Sequence, residues 1–186
     1  MKTLKIYTDG ACSGNQNEEN SGGWGAILEY GEHKKELSGG EKDTTNNRME
    51  MTALLRAFEA ITKDGQQIEV FSDSAYLINC FKERWYDNWL KNGWKTSGKK
   101  PVENQDLWEA ILPYLTKHKI KFYRIKGHIN LGGKKTDADA LFKTFSEHNG
   151  DHFTKDEFIH AVEMNNLADA LAVKGAGQCA SLSGDP

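Results

Sequence analysis

The sequence predicts an α/β fold: a mixed sheet that begins as an antiparallel meander and continues with parallel strands separated by helices. Three strand-like runs, residues 4–9, 24–30 and 34–37, lie too close together for crossover helices, so turn-linked antiparallel pairing is expected. Residues 46–61 carry Met49, Ala53, Leu54, Ala57, Phe58 and Ile61 at i, i+3, i+4 spacing, the pattern of an amphipathic helix. The runs 68–73 and 120–125 follow, each after a helical stretch, and strand–helix–strand order implies parallel neighbours with a right-handed crossover.

The remaining elements are placed in turn. Residues 4–9 alternate apolar and polar up to Gly10, as a half-buried strand does. A helical stretch opens at Ala75. Residues 81–100 are aromatic and basic. Residues 105–115 read as a helix that Pro113 should perturb or end. After Lys126-Gly127-His128 come two further helical patterns, one at 138–147 and one opened by Thr154-Lys155-Asp156-Glu157, a capping-box sequence. Residues 175–186 are small and polar and are expected to be a disordered tail. The expected organisation is one domain over 1–174 with a helical insertion at about 130–163.

Composition narrows the function classes. The chain has 186 residues, 38% hydrophobic and 27% charged, with a net charge of −3, which suits an ordinary globular domain with a real core. No apolar run approaches bilayer length, and the charged start lacks the apolar stretch of a signal peptide. Three cysteines (Cys12, Cys80, Cys179) with no C-x-x-C spacing indicate neither a disulfide framework nor a zinc knuckle. A reducing cytoplasm is the default compartment, with no membrane contact. The acidic balance argues mildly against a nucleic-acid binder, but residues 91–100 hold Lys91, Lys95, Lys99 and Lys100 and no acid. A polyanion site would therefore be local.

Three strands end in reactive side chains: Asp9, Asp73 and His128. In an open α/β sheet the carboxyl ends of parallel strands share one edge, where ligands bind. Two carboxylates there raise each other's pKa unless a cation sits between them, and hard oxygen donors suit magnesium or manganese. Each aspartate alone serves equally well as a cap of the following helix or turn; together they favour a metal site. His128 alone is more often a turn residue than a catalyst.

At this point the motifs resemble a family. Thr8-Asp9-Gly10, Thr45-Asn46-Asn47-Arg48-Met49-Glu50, Ser72-Asp73-Ser74, Lys126-Gly127-His128 and Asn165-x-x-Ala168-Asp169-x-Leu171-Ala172 occur in the order found in type 1 ribonuclease H. Gly93-Trp94-Lys95-Thr96 and Lys99-Lys100-Pro101-Val102 extend the similarity, which spans residues 1 to about 129 and resumes near 164. The resemblance implies a five-stranded mixed sheet with helices on both faces. It implies an endonuclease that hydrolyses the RNA strand of RNA/DNA hybrids with two Mg2+ ions (Mn2+ a substitute), leaving 5′-phosphate and 3′-hydroxyl ends. Its metal carboxylates fall on Asp9, Glu50, Asp73 and Asp169, and its loop histidine, which assists proton transfer or product release, falls on His128. Without the family, Glu50 and Asp169 would read as solvated helix positions.

Substrate contacts implied by the same resemblance are Cys12, Asn15, Asn46 and Asn47 along the hybrid's minor groove, where 2′-hydroxyls are displayed. Thr45, Arg48 and Asn15 form its pocket for a DNA phosphate. The aromatic–basic stretch resembles the family's handle: Trp85 and Trp89 share a helix face at i, i+4 and, with Trp94, Lys91, Lys95, Lys99 and Lys100, meet the DNA strand. The plain alternative is core tryptophans beside a solvated lysine face. The expected partner is the hybrid alone, bound by a monomer with no obligate protein partner.

Two departures from the family stand out. Ala75 follows Ser74 where many relatives carry glutamine against the RNA strand. The 130–163 segment replaces a short loop. Its residues 146–157 miss the acids of a calcium loop, and residues 127–135 miss P-loop spacing. His148, Asp151, His152, Asp156 and His160 lack the support expected of a metal site. The insertion reads as a packing module that positions Asp169 or shapes substrate access. A binding module silenced by that insertion, or a transposase- or resolvase-type DNA nuclease, are the competing functions.

Overall fold

The structure, a computed structural model, describes residues 2–13 and 20–182. The strands are β1 (Leu4–Ser13), β2 (Ser21–Tyr30), β3 (His33–Lys42), β4 (Gln67–Ser72) and β5 (Lys119–Arg124). They form one sheet in the order β3-β2-β1-β4-β5. β1–β2 and β2–β3 are antiparallel, β1–β4 and β4–β5 parallel, as the meander-then-crossover pattern predicts. The meander strands are longer than their apolar runs: β3 is almost wholly exposed, so hydrophobic patterning finds only its first half. The helices are α1 (Asn46–Glu59), α2 (Ala75–Lys82), α3 (Trp85–Asn92), α4 (Gln105–Lys117), α5 (Ala138–Asn149) and α6 (Lys155–Leu182).

Successive strand residues point to opposite faces, and this divides the interior into two cores. Ile6, Ala26, Leu28, Ile68 and Val70 face a core closed by Leu54 and Phe58 of α1, Leu77 and Phe81 of α2 and Trp108 of α4. Tyr7, Ile27, Phe71 and Tyr123 face the other, closed by Phe145 of α5, and by Phe153 with Phe158, Val162 and Ala168 of α6. The insertion therefore supplies much of the second core's aromatic content.

Three expectations need correction. Pro113 does not end α4, which runs on to Lys117; the proline and Glu109, the residue four before it, are both exposed, on the face where losing one helix bond costs least. The second helical pattern of the insertion is not a separate segment. It is the start of α6, one 28-residue helix of roughly 42 Å, opened by the expected capping box: Glu157 N–H donates to Thr154 Oγ1 and Thr154 N–H to Glu157 Oε1. Third, residues 175–182 belong to that helix rather than to a disordered tail. Glycine there reads as a breaker from sequence, but Gly175 lies against the backbone of Gly39 in β3, and Ala176 is buried. Small residues are required because α6 rests directly on the sheet backbone: a Cβ on Gly23 of β2 would overlap the Ala172 carbonyl. Residues 183–186 lie outside the described residues. Among the described residues, no helix is long and apolar enough to cross a membrane.

Candidate active site

The last β1–β4 pair is Thr8 with Ser72, so Asp9 and Asp73 stand side by side at the next level, where the two chains begin to part. Gly10 lets α1 come down beside them. A Cβ at this position would stand 2.6 Å from Glu50 N and 2.8 Å from Met49 Cβ, and that closeness sets Glu50 over Asp9. Gly127 does the same for the loop after β5, where a Cβ would strike Asp73 Oδ2. One carboxylate oxygen each from Asp9, Glu50 and Asp73 lies within 4.8 Å of the others. Asp169, from the middle of α6, is not one of that trio; its charge is felt by Asp9 and Asp73, and its Oδ2 lies 3.8 Å from His128 Nδ1.

The electrostatics are those of acids held together against their repulsion. Burial and the neighbouring Asp73 charge push the Asp9 carboxyl up to about 8. Burial, with the charges of Asp9 and Asp73, lifts Glu50 well above the usual carboxylate range. Asp73 is also raised, burial first. Glu50 Oε2 is buried without a hydrogen-bond partner, which is costly for an acceptor. An all-oxygen donor set, mutually raised and with one orphaned oxygen turned inward, fits a divalent hard cation.

A stability consequence follows from these shifts. Between about pH 4 and pH 8 the folded, metal-free protein holds protons on these carboxyls that the unfolded chain has released, so stability falls as pH rises through that window. Thermal melts in chelator should show the decline flattened in Asp9→Asn. Added Mg2+ should raise the midpoint more at pH 8 than at pH 5, because cation binding requires the protons to leave.

The other sequence-selected residues divide into groups. Thr45 is the N-cap of α1, its Oγ1 accepting from Arg48 N–H; Asn46 and Asn47 are exposed on the first turn. Cys12 reaches the same segment through Sγ–H to the Thr44 carbonyl, 3.6 Å. Asn15 lies outside the described residues. Arg48 is engaged: its guanidinium grips Asp106 through two bonds of 2.9 and 3.1 Å and also contacts Glu41 and Asn104. Trp85, Trp89, Lys91, Lys95 and Lys100 line a cleft of about 790 Å3 that Asn47 also borders. Trp94 sits behind it, 6.0 Å from Trp89 ring to ring, and Lys99 is exposed on the adjoining turn at φ 62°. The tryptophans are at once cleft wall and core packing, so the two readings of that stretch are not exclusive. Among the insertion's histidines, His160 pairs with Glu29 at 2.8 Å and His152 meets the Tyr123 hydroxyl at 3.3 Å.

The ribonuclease H family model matches residues 1–147. A ribonuclease H of Chlorobaculum parvum is 56% identical over 127 residues, 68% of this chain and 84% of the relative. That of Syntrophomonas wolfei subsp. wolfei is 54% identical over 128 residues, 69% of this chain and 86% of the relative. The chain belongs to the ribonuclease H family. The crystal structure of LC9-RNase H1, a type 1 RNase H with the type 2 active-site motif, covers 95% of this chain and 73% of its own at 26% identity and TM-score 0.68. This ribonuclease H carries a short repeat that bears on the site. Ala138-Asp139-Ala140-Leu141 and Ala168-Asp169-Ala170-Leu171 repeat the same four residues, and the family match ends between them. Asp139 is 81% exposed and paired with Lys155, away from the carboxylates, whereas Asp169 faces His128. Sequence reasoning chose Asp169 by its Asn165-x-x-Ala-Asp context but overlooked the repeat, Asp106, Asn149 and Asn166.

Proposed function

We propose that this ribonuclease H hydrolyses the RNA strand of RNA/DNA hybrids at the Asp9–Glu50–Asp73–Asp169 cluster, with two divalent cations, Mg2+ by preference, leaving 5′-phosphate and 3′-hydroxyl ends. The observation that carries the reading is the convergence of three carboxylates within 4.8 Å, one of them with an orphaned buried oxygen. The chemistry such cations supply when bound is a water acidified for attack and charge neutralisation at the phosphate and the leaving 3′ oxygen. Asp9, Glu50 and Asp73 hold the cations, and Asp169 closes the group on the side of His128. His128, 74% exposed with Nδ1 3.8 Å from Asp169 Oδ2, is placed to take up or deliver a proton at the cluster's edge.

Selection of the hybrid rests on two surfaces. Cys12, Asn46 and Asn47 face the 2′-hydroxyls of the RNA strand, while the handle cleft takes the DNA strand, its sugars on Trp85 and Trp89 and its phosphates on the lysines. A DNA phosphate at Thr45 and Arg48 must displace Asp106 from the guanidinium, since the two anions compete for one fork. The catalytic domain is read as running past residue 174 to the end of α6 at Leu182, with the insertion packed inside it, supported by the shared second core. The protein acts as a monomer in the cytoplasm on this reading.

A labelled RNA strand annealed to DNA, annealed to RNA, or left single tests the reading. Cutting of the hybrid alone, with 5′-phosphate ends on the fragments, is expected; equal cutting of the RNA duplex contradicts it. Replacing Lys91, Lys95, Lys99 and Lys100 by alanine should lower hybrid affinity and reduce the slope of log K against log salt by about 3–4. An unchanged slope would make those lysines a solvated face.

A further inference from the structure

We propose that Asn149 and Asn166 are positioning residues that hold the Lys126-Gly127-His128 segment against the carboxylate cluster by fixing its two ends. The proposal deepens the reading above and rests on the role given there to His128.

The upstream anchor is Asn149, the last residue of α5, only 9% exposed. β5 is an edge strand, so its outward N–H and C=O groups have no strand beside them. The Asn149 amide takes both at one residue: Oδ1 accepts from Arg124 N–H at 3.1 Å, and Nδ2 donates to the Arg124 carbonyl at 2.8 Å. Its remaining valences go to the Phe145 carbonyl, 3.0 Å, and Lys82 Nζ, 3.4 Å. A single side chain thus does what one residue of a sixth strand would do, and it belongs to the insertion. The downstream anchor is Asn166 of α6, whose Nδ2 donates to the Ile129 carbonyl at 2.9 Å. The Ile129 side chain is itself buried in the second core with Phe145 and Phe158.

Between these anchors the backbone has little freedom and needs to be held. Ile125 N–H bonds the Ser72 carbonyl at 2.9 Å, Gly127 lies against Asp73, and His128 has φ 56°. A non-glycine residue keeps the left-handed conformation only where its surroundings over-determine it. The imidazole cannot supply that restraint, being 74% exposed and no closer than 3.8 Å to its ion-pair partner Asp169. The restraint comes from the backbone on either side, at Arg124 and Ile129, and so from the two asparagines. In this ribonuclease H the insertion and the last helix hold the histidine's loop as a strap fastened at both ends.

The test measures Asn166→Ala and Asn149→Ala, each with and without His128→Ala, by NMR backbone order parameters on metal-free protein and by single-turnover cleavage of a hybrid. In either asparagine variant, the order parameters at 126–129 should fall from about 0.85 to below about 0.6 while the core strands stay unchanged. The cleavage rate should fall by about five- to tenfold, the worth of one net hydrogen bond, with hybrid affinity unaltered. In the His128→Ala background the asparagine substitutions should cost nothing further. Equal losses in both backgrounds, or unchanged order parameters at 126–129, would overturn the proposal. Should Asn149→Ala fail to fold, the half-buried Asn166 gives the same two readouts. A loosened loop beside a fully active His128→Ala protein would contradict the role of His128 and not the strap.

Discussion

Asp73→Asn is expected to lower cleavage of the RNA strand by at least about a thousandfold, corresponding to the several kcal/mol of charge stabilisation a metal centre supplies. Hybrid affinity should stay within a few-fold of wild type. The substitution keeps the shape that Gly127 packs against and leaves the handle cleft untouched, so only the donor set changes. Because burial and like charges raise the carboxyls of this cluster, losing one should also leave the metal-free protein as stable as wild type at pH 8, or more so. Single-turnover kinetics, hybrid binding and thermal melts on one preparation check all three. A variant that retains its rate would remove the metal assignment, and one that loses binding and rate together would indicate a fold defect.

Gly23→Ala should have the largest effect on stability. The added carbon meets the Ala172 carbonyl on one side and the backbone of Gly175 and Ala176 on the other, so no rotamer can relieve it and α6 must lift off β2. Overpacking of this kind costs about 3 kcal/mol, or about 6–12 °C in melting midpoint for a chain of this size. Asp169 lies three residues before Ala172 on the same helix, so the rate should fall with the melting midpoint. Gly177→Ala is the matched control, since its Cβ would meet nothing within 4 Å; replacing a helical glycine there should stabilise by up to about 1 kcal/mol. Equal melting points for the two variants would refute the direct helix-on-sheet contact.

The parts of this molecule that were readable from sequence are those in which short-range pattern and chemistry agree. The alternation over residues 4–9 announces a strand, though a half-buried one where both Ile6 and Tyr7 are in fact buried, and the Thr154–Glu157 box announces a helix start. Asp9 and Asp73 were legible as a pair because strand ends converge. Glu50 and Asp169 were legible only through family motifs, since nothing local separates a carboxylate on a helix from a solvated one. Gly175 misled because a glycine is a helix breaker by propensity and a contact surface by packing, and only the sheet opposite it decides which. Asn149 and Asn166 left no signal at all: their partners are backbone groups 25 and 37 residues away, and a side chain bonded to distant backbone has no periodicity to betray it.

The repeated Ala-Asp-Ala-Leu sets two aspartates against each other: Asp169, beside His128, is proposed for the metal centre, and Asp139, paired with Lys155, is not. Cleavage of a labelled RNA strand paired with DNA should be measured for wild type, Asp169→Asn and Asp139→Asn, in Mg2+ and in chelator. Metal-dependent cutting is expected to survive in Asp139→Asn and to be lost in Asp169→Asn. Loss in Asp139→Asn with activity kept in Asp169→Asn, or cutting in chelator by the wild type, would contradict the metal assignment.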